Sequence, residues 1–155
     1  MQSIKIKRID IVNAHAILGM FDGRVEKVTN DKGEVRETHV PYQLGMGVRL
    51  IIAQNRAVLR PIVEAYEQAR NGLISQYADG AQEIKATVTV DGVEQQNPNF
   101  AKYQQEVRTI LDEVIPVNIH PINVSALEIE KNKFDPTMLE HLLPLIDIEQ
   151  TWQQP

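Results

Sequence analysis

The sequence predicts a mainly helical α+β domain: one long kinked helix paired with a second helix, plus short antiparallel hairpins. Three observations predict it. Apolar residues recur at helical spacing over long segments, polar and apolar residues alternate over short ones, and turn-forming residues separate the short segments. The length of 155 residues fits one domain, assigned to 1–149, with 150–155 as a flexible tail that is polar apart from Trp152.

Residues 3–7 alternate as a strand does. From Ile9 the period changes: Ile9, Val12, Ala16, Ile17 and Met20 follow amphipathic-helix spacing, weakening at Gly19 and Gly23. Residues 24–40 read as a hairpin with arms 25–29 and 34–40, because Asn30-Asp31-Lys32-Gly33 tolerates the positive φ values of a tight turn. Most of its positions are polar, so it is expected to project from the body. Pro41 suits the first turn of a helix, where its missing N–H is not needed. A stripe then runs through Leu44, Val48, Ile51, Ile52, Leu59, Ile62, Val63, Tyr66, Leu73 and Tyr77. Its phase survives Pro61, which predicts one kinked helix over 42–77 rather than two meeting near Arg60.

Residues 83–90 alternate again, and Asp91-Gly92 is a two-residue hairpin signal returning through 93–95. Asn97-Pro98 places a capping residue before a first-turn proline. The helix it opens carries Phe100, Tyr103, Val107, Ile110, Leu111 and Val114, should end at Pro116, and should pair antiparallel with the long helix. Val117, Ile119 and 122–124 read as an edge strand broken at His120-Pro121, since proline cannot donate to a ladder. Asp135-Pro136 repeats the cap-then-proline signal for a last helix through Leu139, Leu142, Leu143 and Ile146, which Pro144 kinks or ends.

Composition narrows function by exclusion. Apolar residues make up 43% and charged residues 24%, ordinary for a globular chain, and aromatics are only 5%, which points to a core of Leu, Ile and Val. A net charge of -5 argues against holding duplex nucleic acid by phosphate neutralisation, and the basic run Lys5, Lys7, Arg8 reads as a solvated face. With no cysteine there is no disulfide, thiolate metal site or cysteine nucleophile. The N-terminus lacks the apolar core of a signal peptide, and no apolar run reaches the roughly 20 residues of a membrane helix. No membrane partner is expected, and the chain is read as intracellular.

Familiar chemistry is missing as well. There is no Gly-rich phosphate loop; Gly45-Met46-Gly47 near a helix start is better read as close packing. His15, His39, His120 and His141 share no metal-ligand spacing, and Ser3, Ser75 and Ser125 sit in no nucleophile elbow, so neither a metal nor a catalytic residue is assigned and no cofactor is expected. Glu64 and Glu67, flanked by Arg60 and Arg70 at helical spacing, read as an ion-pair ladder. The unusual polar feature is Asn55-Arg56, then Arg60-Pro61, inside the long helix. Asn55 falls in the buried phase and needs hydrogen-bond partners, either carbonyls freed by Pro61 or a partner helix. Asn55, Arg56 and Arg60, with His120, are the candidate residues for an acidic ligand or partner.

Residues 52–61 (Ile-Ala-Gln-Asn-Arg-Ala-Val-Leu-Arg-Pro) and the Arg-ended segment 64–70 resemble an "RN-x-x-x-L-x-P" element found in a group of small uncharacterised bacteriophage and prophage proteins. The resemblance continues in 100–113, in 117–122 and after Asp135-Pro136, covering about two-thirds of the chain. It implies a phage accessory role in the bacterial host cytoplasm and carries over no catalytic residues. The expectation is a non-catalytic, homo-oligomeric binding protein acting on a host factor, for example as a defence antagonist, or on a virion component. The alternatives are a sponge for a small anionic ligand or nucleotide, and an enzyme with an unfamiliar site.

Overall fold

The computed structural model describes residues 1–147. The end of the expected domain at 149 and the expected tail at 150–155 lie outside the described residues. Within them the architecture is α+β: helices around a long central one, with three separate two-stranded antiparallel ribbons.

The chain opens with β1 (Gln2–Lys7) and passes directly into α1 (Arg8–Leu18), closed by the Gly19 N–H donating to the His15 carbonyl. The face that α1 buries is Ile11, Ala14 and Leu18, which corrects the expected stripe. Ile9, Val12 and Ile17 are half-buried, and Ala16 and Met20 are exposed. Both sets have helical spacing, so periodicity alone could not choose between them. The choice is made by the neighbouring helices that pack on α1, and they close over the Ile11 face.

The hairpin is β2 (Gly23–Thr29) and β3 (Val35–Pro41), in register from Gly23↔Pro41 to Thr29↔Val35. Asn30 builds its turn, its Oδ1 accepting the N–H groups of Lys32 at 3.0 Å and Glu34 at 2.9 Å. Only glycine fits at the base. A Cβ on Gly23 would lie 2.6 Å from the Val40 carbonyl oxygen and 2.7 Å from the His39 ring. Pro41 therefore ends β3 instead of opening a helix, and Tyr42 beyond it is buried. The long helix α2 begins at Met46 and runs unbroken through Pro61 to Tyr77, a single helix as the apolar phase required.

β4 (Thr87–Val90) and β5 (Val93–Gln96) turn at Asp91 (φ 51°) and Gly92 (φ 78°), the pair of positive φ values that Asp-Gly favours. α3 (Pro98–Asp112) starts on Asn97, whose side chain accepts the Asn99 N–H at 3.0 Å. It ends four residues before Pro116, which lies inside β6 (Val114–Ile119), opposite Lys5 of β1. A two-stranded ribbon has only edge strands, so a proline there need not break a ladder. The expected edge strand thus stops at Ile119; of the stretch at 122–124, Ile122 makes a lone parallel bridge to Ile146 and Val124 begins a short 3-10 turn. The pairing of β1 with β6 joins the first strand to the last, a contact that no local pattern announces.

Two short pieces were not read from the sequence: a 3-10 turn at Val124–Leu127 and α4 (Ile129–Asn132). α5 (Pro136–Leu142) starts on the Asp135 cap and gives way to a 3-10 turn at Leu143–Leu145, so Pro144 does end the helix. α2 packs on α1 over its first half and on α3 further along. The core joins α1 and α2 to Val117, Ile119, Ile122, Leu127, Met138, Leu142 and Leu145. Aromatics are few, yet Phe21, Tyr42 and Phe134 cluster at one corner, with ring centroids 4.5–6.1 Å apart.

Candidate functional site

The structure divides the four candidate residues into two pairs on different faces of α2. Asn55 is fully buried and faces the chain reversal after β6. Its Nδ2 donates to the His120 carbonyl at 2.7 Å and its Oδ1 accepts the His120 N–H at 2.7 Å. A primary amide matches both groups of a peptide unit at once, so Asn55 stands in for a neighbouring strand where β6 has run out. Neither expected partner, the carbonyls freed by Pro61 or a second helix, is used. What makes the pair structural is that the His120 backbone, not its ring, is held.

Arg56 and Arg60 line a cleft of about 330 Å³ between the end of α1, the loop at Phe21 and Asp22, and the first half of α2. Its floor is apolar, including Leu18, Phe21 and Ile52, and Arg49 joins the two candidates on its rim. The positions 49, 56 and 60 are spaced by seven and four, which brings them onto one helix face. Arg49 is anchored, donating from Nη2 to the Tyr42 carbonyl at 2.7 Å and from Nε to the Leu44 carbonyl at 3.3 Å. Gly19 gives the Arg56 guanidinium room: a Cβ there would lie 3.4 Å from its Nη2.

Among the described residues, Arg56 and Arg60 form no ion pair and no hydrogen bond. The expected ladder does not form, because neither Arg60 with Glu64 nor Arg70 with Glu67 comes within 4.0 Å, and Arg70 instead lies 5.7 Å from the centroid of the Tyr66 ring. The acid at the cleft is Asp22, whose described partner is His39 at 3.9 Å. The cleft thus holds three cations against one carboxylate.

One neighbour of the cleft drew notice in the sequence only as a histidine without metal-ligand spacing. His15 of α1 is half-buried against α2, and its Nε2 is buried with no hydrogen-bond partner among the described residues. Burial holds its pKa below the ordinary histidine value, as do the guanidinium groups of Arg56 and Arg60; Glu67 and Glu64 act in the opposite direction. The sequence signal was available, since His15 lies at helical spacing from Leu18, which lines the cleft, and from Gly19, which meets Arg56. It was masked by the misplaced phase of α1.

A second asparagine was missed. Asn132 is buried, donates from Nδ2 to the carbonyls of Gln43 (3.1 Å) and Leu127 (2.9 Å), and accepts the Gln43 N–H at 2.7 Å. It repeats the Asn55 device and fixes the loop between buried Tyr42 and Leu44, which lines the cleft. The basic run at the N-terminus is also occupied. Arg8 binds Glu113 at 2.5 Å and the Ile110 carbonyl at 2.7 Å, and Lys7 lies 3.7 Å from Asp112. These cations serve the C-terminal end of α3, where carbonyls lack partners.

No cluster of three His, Cys, Asp or Glu able to hold a metal occurs among the described residues, and none of their helices is long and apolar enough to cross a membrane. The chain matches no protein-family model, no curated protein and no solved structure.

Proposed function

We propose that the chain is a non-catalytic binding protein whose α2 cleft seats an acidic, partly apolar segment of a partner protein. The observation that carries this reading is the face of Arg49, Arg56 and Arg60 around an apolar floor, with no ion pair to any of the three among the described residues and hydrogen bonds only to Arg49. Guanidinium groups match carboxylates in a planar, two-pronged geometry, and the apolar floor would cover the stem of the residue that carries the charge. The resemblance of residues 52–70 to phage proteins supports placing that partner among host or virion proteins, with the chain acting as a phage accessory factor inside the host. The concave shape also favours a second reading, in which a small anion fills the cleft alone.

The test is fluorescence anisotropy with a labelled peptide alternating Glu and Leu, against a control with Lys in place of Glu. The acidic peptide should bind with salt-sensitive affinity, and the control should not. Each charge-assisted hydrogen bond contributes about 1.5–3 kcal/mol, so Arg56→Ala with Arg60→Ala should weaken binding by roughly 100-fold or more. Equal affinity in the double variant would overturn the reading. Displacement of the peptide by citrate would favour the small-anion form.

A further inference from the structure

We infer that His15 is a proton-taking neighbour of the cleft, so that an anion entering beside Arg56 and Arg60 brings a proton onto its ring. This deepens the cleft reading above and rests on it. The geometry is specific. His15 lies on the face of α1 that carries Leu18, which lines the cleft, and Gly19, over which the Arg56 guanidinium lies. Its Nε2 is buried and has no hydrogen-bond partner among the described residues, an arrangement that leaves a ring nitrogen unsatisfied until something changes around it. The charged groups that act on it lie on α2: Arg56 and Arg60 on the cleft side, Glu64 and Glu67 one to two turns further along.

With no anion bound, burial and then the two guanidinium groups disfavour a charge on the ring, so the imidazole is neutral at neutral pH. An anion between the arginines cancels their field. Burial still opposes the charge, but the two glutamates no longer act against the guanidinium groups, and the affinity of His15 for a proton rises. By linkage, if the anion raises the proton affinity of His15, the proton raises the affinity for the anion by the same factor. The sign follows. Well above the pKa of the occupied state neither form carries the proton and affinity sits on a low plateau. As pH falls through that value toward the lower pKa of the empty state, affinity climbs. Each unit by which the anion raises the pKa corresponds to a tenfold gain in affinity.

The experiment is calorimetric titration with the alternating Glu-Leu peptide between pH 5.5 and 8, in two buffers of different ionisation enthalpy. Glutamates titrate near 4.3, so the peptide keeps its charge over most of this range and the proton uptake belongs to the protein. The wild-type chain should bind more tightly as pH falls and take up a fraction of a proton on binding. His15→Gln should retain the affinity seen at pH 8 and lose both the pH dependence and the uptake. In parallel, NMR of the wild-type chain should show the His15 ring titrating at higher pH once the peptide is bound, an arm that holds even if the variant folds poorly. Peptide binding with no proton uptake, or uptake that persists in His15→Gln, overturns the inference and leaves the cleft reading standing. Absence of binding at every pH overturns both.

Discussion

The two halves of α2 make different demands on the rest of the chain. From Ile52 to Tyr66 the helix buries five residues against α1 and the C-terminal segments. Beyond Tyr66 it buries none, and neither does α3, which packs on α2, nor β4 or β5. The first half is the floor of a core and carries the cleft. The second half, with α3 and the β4–β5 ribbon, is an arm held by half-buried contacts and a few polar anchors. Continuous helix therefore does not mean continuous stability: α2 is helical along its whole length, while burial is concentrated in one part of it.

The largest effect follows from that contrast. Leu59 has no exposed surface, and Leu59→Ala should cost about 3–4 kcal/mol by lost burial and the cavity left behind. Val107 of α3 is half-buried, and Val107→Ala should cost about 0.5–1 kcal/mol. Urea unfolding of the two variants measures both, and comparable losses would break the distinction between core and arm.

A sharper comparison lies inside the core. Asn55 and Asn132 do the same work with different numbers of bonds, two for Asn55 and three for Asn132. Removing either side chain strands buried backbone groups, at a cost of about 2–3 kcal/mol. Asn132→Ala should cost more, because it releases three backbone groups, both of Gln43 and the Leu127 carbonyl, where Asn55→Ala releases two. Asn55→Asp keeps the acceptor for the His120 N–H but sets a buried charge against its carbonyl, so it should be no better than alanine. Thermal melts of the three variants rank them, and an Asn55→Ala loss above that of Asn132→Ala would mean that the His120 turn, not the Tyr42 loop, is the tighter constraint.

These asparagines also mark where sequence reading stops. The phase of α2, the two hairpin turns and the caps at Asn97 and Asp135 were legible, because each depends on residues within a few positions of one another. That Asn55 sits in the buried phase was legible too. Its partner was not, since His120 is 65 residues away and is recognised through its backbone, which every residue shares. The pairing of β1 with β6 was hidden for the same reason. The phase of α1 failed differently: two helical stripes competed, and only the tertiary neighbours of Ile11 and Ala14 decided between them. Of the candidate site, Arg56 and Arg60 were found from their place in a polar break of an apolar helix. Arg49 was missed because nothing local separates it from any other exposed arginine, and His15 because its importance comes from α2.

The smallest effect is the most local. Tyr77, near the end of α2, donates its hydroxyl to Glu106 of α3, a tie across the arm. That hydrogen bond, with a lesser contribution from desolvation and from the Glu106 charge, raises the Tyr77 pKa above its ordinary value. A proton held more tightly in the folded state stabilises it at pH below the unfolded pKa of about 10, and that contribution is lost as pH rises through the folded value. Tyr77→Phe should therefore leave the urea midpoint of the core unchanged. At neutral pH it should speed amide exchange in the last turns of α2 and the middle of α3, because the tie closes a local opening rather than the global one. Absorbance titration gives an independent readout. Tyr42 and Tyr77 both titrate late, the first chiefly through burial and the second chiefly through its bond to Glu106. Glu106→Gln should bring Tyr77 back toward the ordinary range and leave Tyr42 where it was. If Tyr77→Phe instead accelerated exchange around Leu59, the arm and the core would open together, and the two halves of α2 would be one cooperative unit.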